Sequence, residues 1–95
     1  MRKTELYTLI IDFRDGTYVT QALANDLLTA PFTCIENWDI RGIEEVSENC
    51  KADILSQLKD EKFVPLNGMK NVWCGCAMLN NKAMLMNLVK TKRAT

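Results

Sequence analysis

The sequence has no histidine, so any chemistry of this chain would have to rest on carboxylates, lysines or the thiolates of its four cysteines. Without imidazole there is no Cys-His or Ser-His pair and no zinc site with a histidine ligand. Cys74 and Cys76 flank Gly75 in a segment with strand character. Two thiols at this spacing share one face of a strand about 6.5 to 7 Å apart, at or beyond the reach of a relaxed disulfide. We therefore do not expect this pair to form a disulfide with itself.

Cys34 and Cys50 could join Cys74 and Cys76 in a four-thiolate metal site. The paired Cys-x-x-Cys knuckles that usually build such a site are missing, however. Free cysteine is most often a small buried hydrophobic residue. We interpret the four cysteines as reduced packing residues, and we predict neither a metal ion nor a cofactor.

Asp12 is the one carboxylate that lies inside an apolar strand, where the sequence places it opposite Val19. This position leaves an acid–base role open, although a strand end beside a hairpin turn is often solvated. No nucleophile has an evident base beside it, and the four scattered glycines form no phosphate-binding loop. The sequence therefore predicts no catalytic residue and favours a role other than catalysis.

The length of 95 residues, with 47% apolar and 25% charged residues, predicts one globular domain over residues 1–95. No apolar stretch approaches the roughly 20 residues of a membrane span, and the apolar run at Leu6 to Ile11 is too short for a signal peptide. We therefore expect a cytoplasmic protein that neither crosses nor is anchored to a membrane.

Charge is unevenly distributed along the chain although its sum is zero. Residues 1–62 hold 7 basic and 12 acidic side chains, whereas residues 63–95 hold 5 basic side chains and no acidic one. Basic groups beside Trp73 could hold single-stranded nucleic acid, but a single aromatic residue makes this signal weak. A solvated surface is the ordinary explanation of such charges.

The elements that must position these residues begin with a β-hairpin. Leu6 to Phe13 is rich in β-branched and aromatic residues and precedes Asp15-Gly16, the strongest short hairpin signal. With these two as turn residues, Phe13 faces Tyr18 and Ile11 faces Thr20. Alternation then predicts one core side for the first strand, consisting of Tyr7, Leu9, Ile11 and Phe13.

Two helices and a second hairpin follow. Apolar spacing predicts a short helix that starts near Thr29 or Ala30, because Pro31 is tolerated only in a first turn. A second helix is predicted over residues 44–60, and a hairpin of Val72–Leu79 with Ala83–Thr91 turns at Asn80-Asn81. The predicted fold is α+β, a four-stranded antiparallel sheet in the order β-β-α-α-β-β with both helices packed on one face.

Both faces of the C-terminal hairpin are apolar, and two short helices can cover only one face of a sheet. We predict that the uncovered face meets a second copy of the chain or another protein, and we assign it the side chains Trp73, Met84, Met86 and Leu88. The predicted function is a small interaction or regulatory module that forms a homodimer. The alternative is a domain that binds a small ligand, a metal or nucleic acid through the C-terminal hairpin.

Overall fold

A computed structural model of the chain describes residues 4–92. Within this range there are five strands and two helices: β1 Glu5–Phe13, β2 Gly16–Ala24, α1 Ala30–Asn37, α2 Glu48–Leu58, β3 Val64–Pro65, β4 Val72–Leu79 and β5 Lys82–Thr91. The strands form one antiparallel sheet in the order β2-β1-β5-β4-β3. The α+β class is confirmed, but the prediction of four strands is wrong. The additional strand β3 has two residues, one of them proline, and so carries no periodic signal.

The first hairpin has the predicted faces in a different register. Its turn residues are Arg14 and Asp15, since Phe13 pairs with Gly16 and Ile11 pairs with Tyr18. Arg14 takes the left-handed backbone conformation, at a φ of 57°. Gly16 supplies space rather than a positive φ, because a Cβ built on it would lie 2.5 Å from Tyr18 Oη. The shift of two residues leaves every side chain on its predicted side of the sheet.

The second hairpin turns at Asn80 and Asn81, as predicted. Both residues have left-handed backbones, at φ of 53° and 64°, which are the angles that a two-residue type I′ turn requires. Strand β5 then pairs along its length with β1, with Ile11 opposite Met86. This long-range pairing joins the two hairpins into one sheet, so that the core side of β1 continues into β5.

Both helices cover the same face of this sheet. Helix α1 begins at Ala30, where it was predicted, and Pro31 lies in its first turn. Helix α2 begins at Glu48, four residues later than predicted, because Ser47 caps it by accepting a hydrogen bond from the Cys50 N–H at 3.3 Å. No helix among residues 4–92 is long and apolar enough to cross a membrane.

The core lies between the helices and the sheet. Its largest fully buried side chains come from both layers: Leu9, Ile11, Met84, Met86 and Leu88 from the sheet, and Cys34, Ile35 and Ile54 from the helices. Burial of such side chains stabilises a fold by roughly 1.5 to 3 kcal/mol each. The opposite face of the sheet has no layer upon it among the described residues.

Candidate interaction surface

The uncovered side of the sheet is the candidate functional surface, and we call it the open face. Its side chains follow from the strand registers: Leu6, Thr8, Ile10 and Asp12 on β1; Thr17, Val19, Gln21 and Leu23 on β2; Ala83, Leu85, Asn87, Val89 and Thr91 on β5; Val72, Cys74, Cys76 and Met78 on β4; and Val64 on β3. Asp12 is the one charged side chain in this set. A sheet face of this composition is typical of a surface that is covered by another layer.

The residues that the sequence assigned to a partner surface lie on the other side of the sheet. Met84, Met86 and Leu88 have no exposed surface, because α1 and α2 cover the face that they share. Trp73 is half-buried against the same core. These side chains form the monomer interior, so the surface available to a partner is the open face and the assignment is corrected accordingly.

The polar side chains of the open face largely bond to one another. Gln21 Nε2 donates to Thr8 Oγ1 at 2.9 Å, and the Thr8 and Thr91 hydroxyls lie 2.6 Å apart. Thr17 Oγ1 donates to Asp12 Oδ1 at 2.8 Å. Such groups can be covered by a partner without each losing its hydrogen bond, which is the condition for burying them at low cost.

The structure gives Asp12 a different cross-strand partner from the predicted one. It pairs across the hairpin with Thr17, not with Val19, and it is exposed. Its Oδ1 accepts the Thr17 hydroxyl, which ties it to the strand end. The described neighbourhood of Asp12 shows the solvated carboxylate of a hairpin end.

The four cysteines divide between the two sides of the sheet. Cys34 is fully buried on the sheet-facing side of α1, where burial raises the pKa of its thiol from 9.0 to about 11. Cys50 lies at the start of α2, whereas Cys74 and Cys76 lie half-buried on the open face. The sheet separates the two pairs, and no group of three metal-binding side chains lies together within residues 4–92.

Gly75, which lies between Cys74 and Cys76 in the sequence, has a role in packing. It lies on the helix side of β4, and a Cβ built on it would lie 2.8 Å from the ring of Phe63. The glycine thus gives the Phe63 ring room to pack on the sheet. The Cys74-Gly75-Cys76 sequence is explained by one ring on the core side and two thiols on the open face.

The lysines of the C-terminal hairpin do not form one basic patch on β5. Lys82 and Lys90 lie eight residues apart on that strand, at its opposite ends, a separation of roughly 27 Å. Their positions alternate with the open-face residues of β5, so they belong to the other side of the sheet. Lys70 precedes Asn71, whose carbonyl oxygen accepts the Lys90 N–H at 2.9 Å, so Lys70 and Lys90 lie at the same end of the sheet and Lys82 lies at the other.

Sequence reasoning missed two polar side chains of α2, Lys51 in the helix layer and Gln57 at the edge of β4. Lys51 is buried in the apolar stripe of α2, where its Nζ donates to the carbonyl oxygens of Glu36 at 3.0 Å and Trp38 at 2.9 Å. Gln57 bonds to the backbone of Met78 at the edge of β4. The signal for Lys51 was available, because a cation among Ile54, Leu58 and their neighbours at helical spacing needs buried acceptors.

Comparison with known proteins gives no further information on this surface. No protein-family description matches the chain, and neither curated proteins nor solved structures match it significantly.

Proposed function

We propose that the protein is a small interaction module that forms a homodimer by packing its open face on the open face of a second copy. One observation carries this proposal. Seven large apolar side chains are exposed among the described residues, and five of them belong to the open face: Val19, Leu23, Val64, Met78 and Leu85. Exposed apolar side chains that are contiguous mark an interaction site, whereas scattered ones do not.

The size of the open face suits a stable dimer. Four strands of 8 to 10 residues, about 4.8 Å apart and rising about 3.3 Å per residue, give a face of roughly 19 by 30 Å, to which the two residues of β3 add at one edge. Side-chain relief brings such a face close to the roughly 800 Å² that each partner contributes to a standard interface. Two sheets packed in this way lie about 10 Å apart and share one apolar layer.

The low charge of the open face supports a second copy as the partner. In a symmetric dimer the same surface of each copy forms the contact, so a charged group on that surface is brought close to an identical surface with the same charge. Asp12 is the single charged side chain that the strands place on this face, and Glu61 and Lys62 lie at its rim beside Val64, so little electrostatic repulsion opposes that contact. Asn87 lies on the central strand β5 and is half-buried, a position where one polar group can set the register of two apolar faces.

The test is the substitution Leu85→Lys, analysed by native mass spectrometry and by light scattering after size exclusion. Leu85 is 54% exposed on the central strand, so the lysine reaches solvent in the monomer and is buried only in the dimer. We expect the wild type to be a dimer whose urea midpoint rises with protein concentration, and the variant to be a folded monomer with a lower, concentration-independent midpoint, because the contribution of dimerisation to stability is lost. Leu28→Lys is the matched control, because Leu28 is 80% exposed outside the open face. A monomeric wild type contradicts the proposal.

A small apolar ligand is the second candidate, and a specific depression favours it. The C-terminal hairpin and the segment around β3 border an open depression of about 510 Å³ on the open face, lined in part by the apolar Val64, Leu66 and Leu85 and by the charged Glu61 and Lys62. This volume is within the range of small-molecule sites. A native mass spectrum of a monomer that retains added mass would favour the ligand, and a dimer without added mass would favour the homodimer.

The proposal includes the cytoplasm as the compartment and a role other than catalysis. All four cysteines are free thiols in the structure, including the two that lie half-buried on the open face. Free thiols on an interaction surface suit a reducing compartment. A purified protein that forms disulfides under glutathione buffers of cytosolic potential would contradict this part of the proposal.

A further inference from the structure

Strand β2 forms one edge of the sheet, and its backbone groups point away from β1 at alternate residues. The residues that flank a two-residue turn form a hydrogen-bonded pair, so the inward set begins at Gly16 and continues at every second residue. The N–H and C=O groups of Thr17, Val19, Gln21 and Leu23 therefore point outward. They are four donors and four acceptors along one line.

Seven of these eight outward groups have no hydrogen-bond partner among residues 4–92. The eighth is the Gln21 carbonyl oxygen, which accepts a hydrogen bond from Asn37 Nδ2 at 3.3 Å. Strand β2 is nine residues long and contains neither a charged residue nor a proline. Charges, prolines and short length are three of the features by which natural proteins prevent an edge strand from pairing, and β2 has none of them. A covering helix is another, and here the contact from α1 to the outward groups is that of Asn37 with Gln21.

On the opposite side of the same sheet, the outward residues of β4 are protected by hydrogen bonds. Strand β3 pairs with Cys74, and the Leu66 N–H donates to the Val72 carbonyl oxygen at 3.0 Å. Beyond β3, a side-chain carboxylate of Glu61 accepts the Cys76 N–H at 3.2 Å. Gln57 then bonds to both backbone groups of Met78, each at 2.7 Å. Every outward residue of β4 from Val72 to Met78 is thus bonded, so the open β2 edge is not a general property of this fold.

We infer that the β2 edge is a docking site for an extended segment of a partner polypeptide, which adds to the sheet as a sixth strand. Main-chain hydrogen bonds to the four outward residues supply affinity, and side chains at alternate positions supply specificity. Next to Val19 and Leu23, which are 60% and 52% exposed, the segment presents apolar side chains. Seven residues match the length from Thr17 to Leu23, and a charge at their alternate apolar positions opposes binding.

A second copy of this chain does not fit the same edge. Helix α1 packs chiefly on β2, and the Thr20 hydroxyl donates to the Cys34 carbonyl oxygen at the middle of the strand. Paired strands lie about 4.8 Å apart, whereas packed helices need about 8 to 10 Å between their axes. Two β2 strands paired about their centres would force the two α1 helices together. A segment without a helix upon it meets no such obstacle. The site uses the outward backbone groups of β2, which the proposed dimer contact does not use, and shares with that contact the side chains of Val19 and Leu23.

The probe for this site is a fluorescent peptide with the sequence of residues 16–24, flanked by one lysine at each end for solubility. We expect anisotropy to show binding to the wild type, and amide exchange to slow at Val19 and Leu23 when the peptide is present. Val19→Pro removes an outward N–H and leaves the bonds to β1 intact, because proline is tolerated at the solvent side of an edge strand. It should weaken binding about tenfold, since a donor is lost and the ring obstructs the neighbouring strand.

Three further variants make the result decisive. Val19→Thr keeps the N–H and should bind within about threefold of the wild type, since only apolar contact is reduced. Leu85→Lys should bind the peptide normally, because β5 is remote from the edge; this separates the edge site from the dimer. Thr17→Pro replaces Val19→Pro if that variant does not fold.

Two outcomes overturn the inference: proline variants that bind the peptide as tightly as the wild type does, or a wild type that does not bind the peptide. Slow exchange of the Val19 amide in concentrated wild type without peptide would identify a second copy as the occupant and overturn it also.

Discussion

Gln57 bonds to Met78 as a strand residue would. Its Oε1 accepts the Met78 N–H and its Nε2 donates to the Met78 carbonyl oxygen, each at 2.7 Å. A side-chain amide has the same donor and acceptor as a peptide group, so it pairs with an outward residue of β4 where β3 no longer reaches. Helix α2 thereby protects the edge that it overhangs, while the β2 edge stays open.

Gln57→Leu should expose the β4 edge at Met78. We expect a loss of about 1 kcal/mol in the free energy of unfolding, because two hydrogen bonds at a partly solvated edge are removed. We also expect faster exchange of the Met78 amide and a greater tendency to aggregate. Urea denaturation and amide exchange measure the two effects. Gln57→Glu keeps the acceptor and should retain a slower Met78 amide than Gln57→Leu; equal exchange in both variants would contradict the pairing role.

Lys51 links the two helices by binding the carboxyl-terminal end of α1. Its Nζ, on a side chain that is 9% exposed, donates to the carbonyl oxygens of Glu36 and Trp38. These carbonyls have no further intrahelical donor at a helix end, and a cation there also interacts favourably with the helix dipole. Lys51→Met should lower the free energy of unfolding by about 2 kcal/mol, since buried acceptors are left without a donor.

Urea denaturation of Lys51→Met measures this effect, and Lys59→Met is its control. Lys59 is exposed and forms no described hydrogen bond through its side chain, so its substitution should change stability by less than about 0.5 kcal/mol. Equal effects of the two substitutions would show that Lys51 contributes only as a surface charge.

Local patterns of this sequence predict its elements and their faces well. Alternation in β1 places Tyr7 and Leu9 on the core side, and the turn at Asn80-Asn81 is found where asparagine tolerates a left-handed backbone. The Asp15-Gly16 signal misplaces the register by two residues because Gly16 serves the Tyr18 ring. Since the side-chain period of a strand is two, this error changes the partners and leaves the faces intact.

The side that the helices cover could not be predicted, because it depends on a contact between distant segments. Both faces of the C-terminal hairpin are apolar, so the hairpin alone does not distinguish Met86 from Leu85. The pairing of Ile11 with Met86 determines which face of the hairpin is buried, since it aligns Met86 with the apolar side of β1. Residues 75 positions apart in the chain determine this pairing, and a local period does not report it. The candidate site moved to the open face for this reason.

The alkylation rates of Cys74 and Cys76 should show whether a second copy covers the open face. Both thiols are half-buried there in the monomer, so a second copy packed on this face should shield them from iodoacetamide. We expect both to be alkylated severalfold more slowly in the wild type than in Leu85→Lys. Cys50, which lies on the helix side, is the internal control and should react equally in the two proteins. Peptide mass mapping of the native protein gives each rate. Equal rates at Cys74 and Cys76 in both proteins would argue against a dimer through this face.

Cys34 should make stability depend on alkaline pH. Burial between α1 and the sheet raises the pKa of its thiol from 9.0 to about 11, because the thiolate is poorly solvated there. A raised folded-state pKa means that the unfolded chain loses its proton first as the pH rises. The contribution of Cys34 is therefore fully present below pH 9 and is lost as the pH approaches 11.

The measurement compares the urea midpoints of the wild type and Cys34→Ala below pH 9 and near pH 11. The comparison with the alanine variant is needed because burial also raises the pKa of Tyr7, so the wild type alone would combine two titrations. Cys34→Ala removes the thiol and leaves a small cavity, which makes it less stable below pH 9. Its disadvantage should shrink with rising pH, since only the wild type has a thiol to ionise. Two stability curves that stay parallel across this range would show that Cys34 ionises as readily in the folded protein as in the unfolded chain.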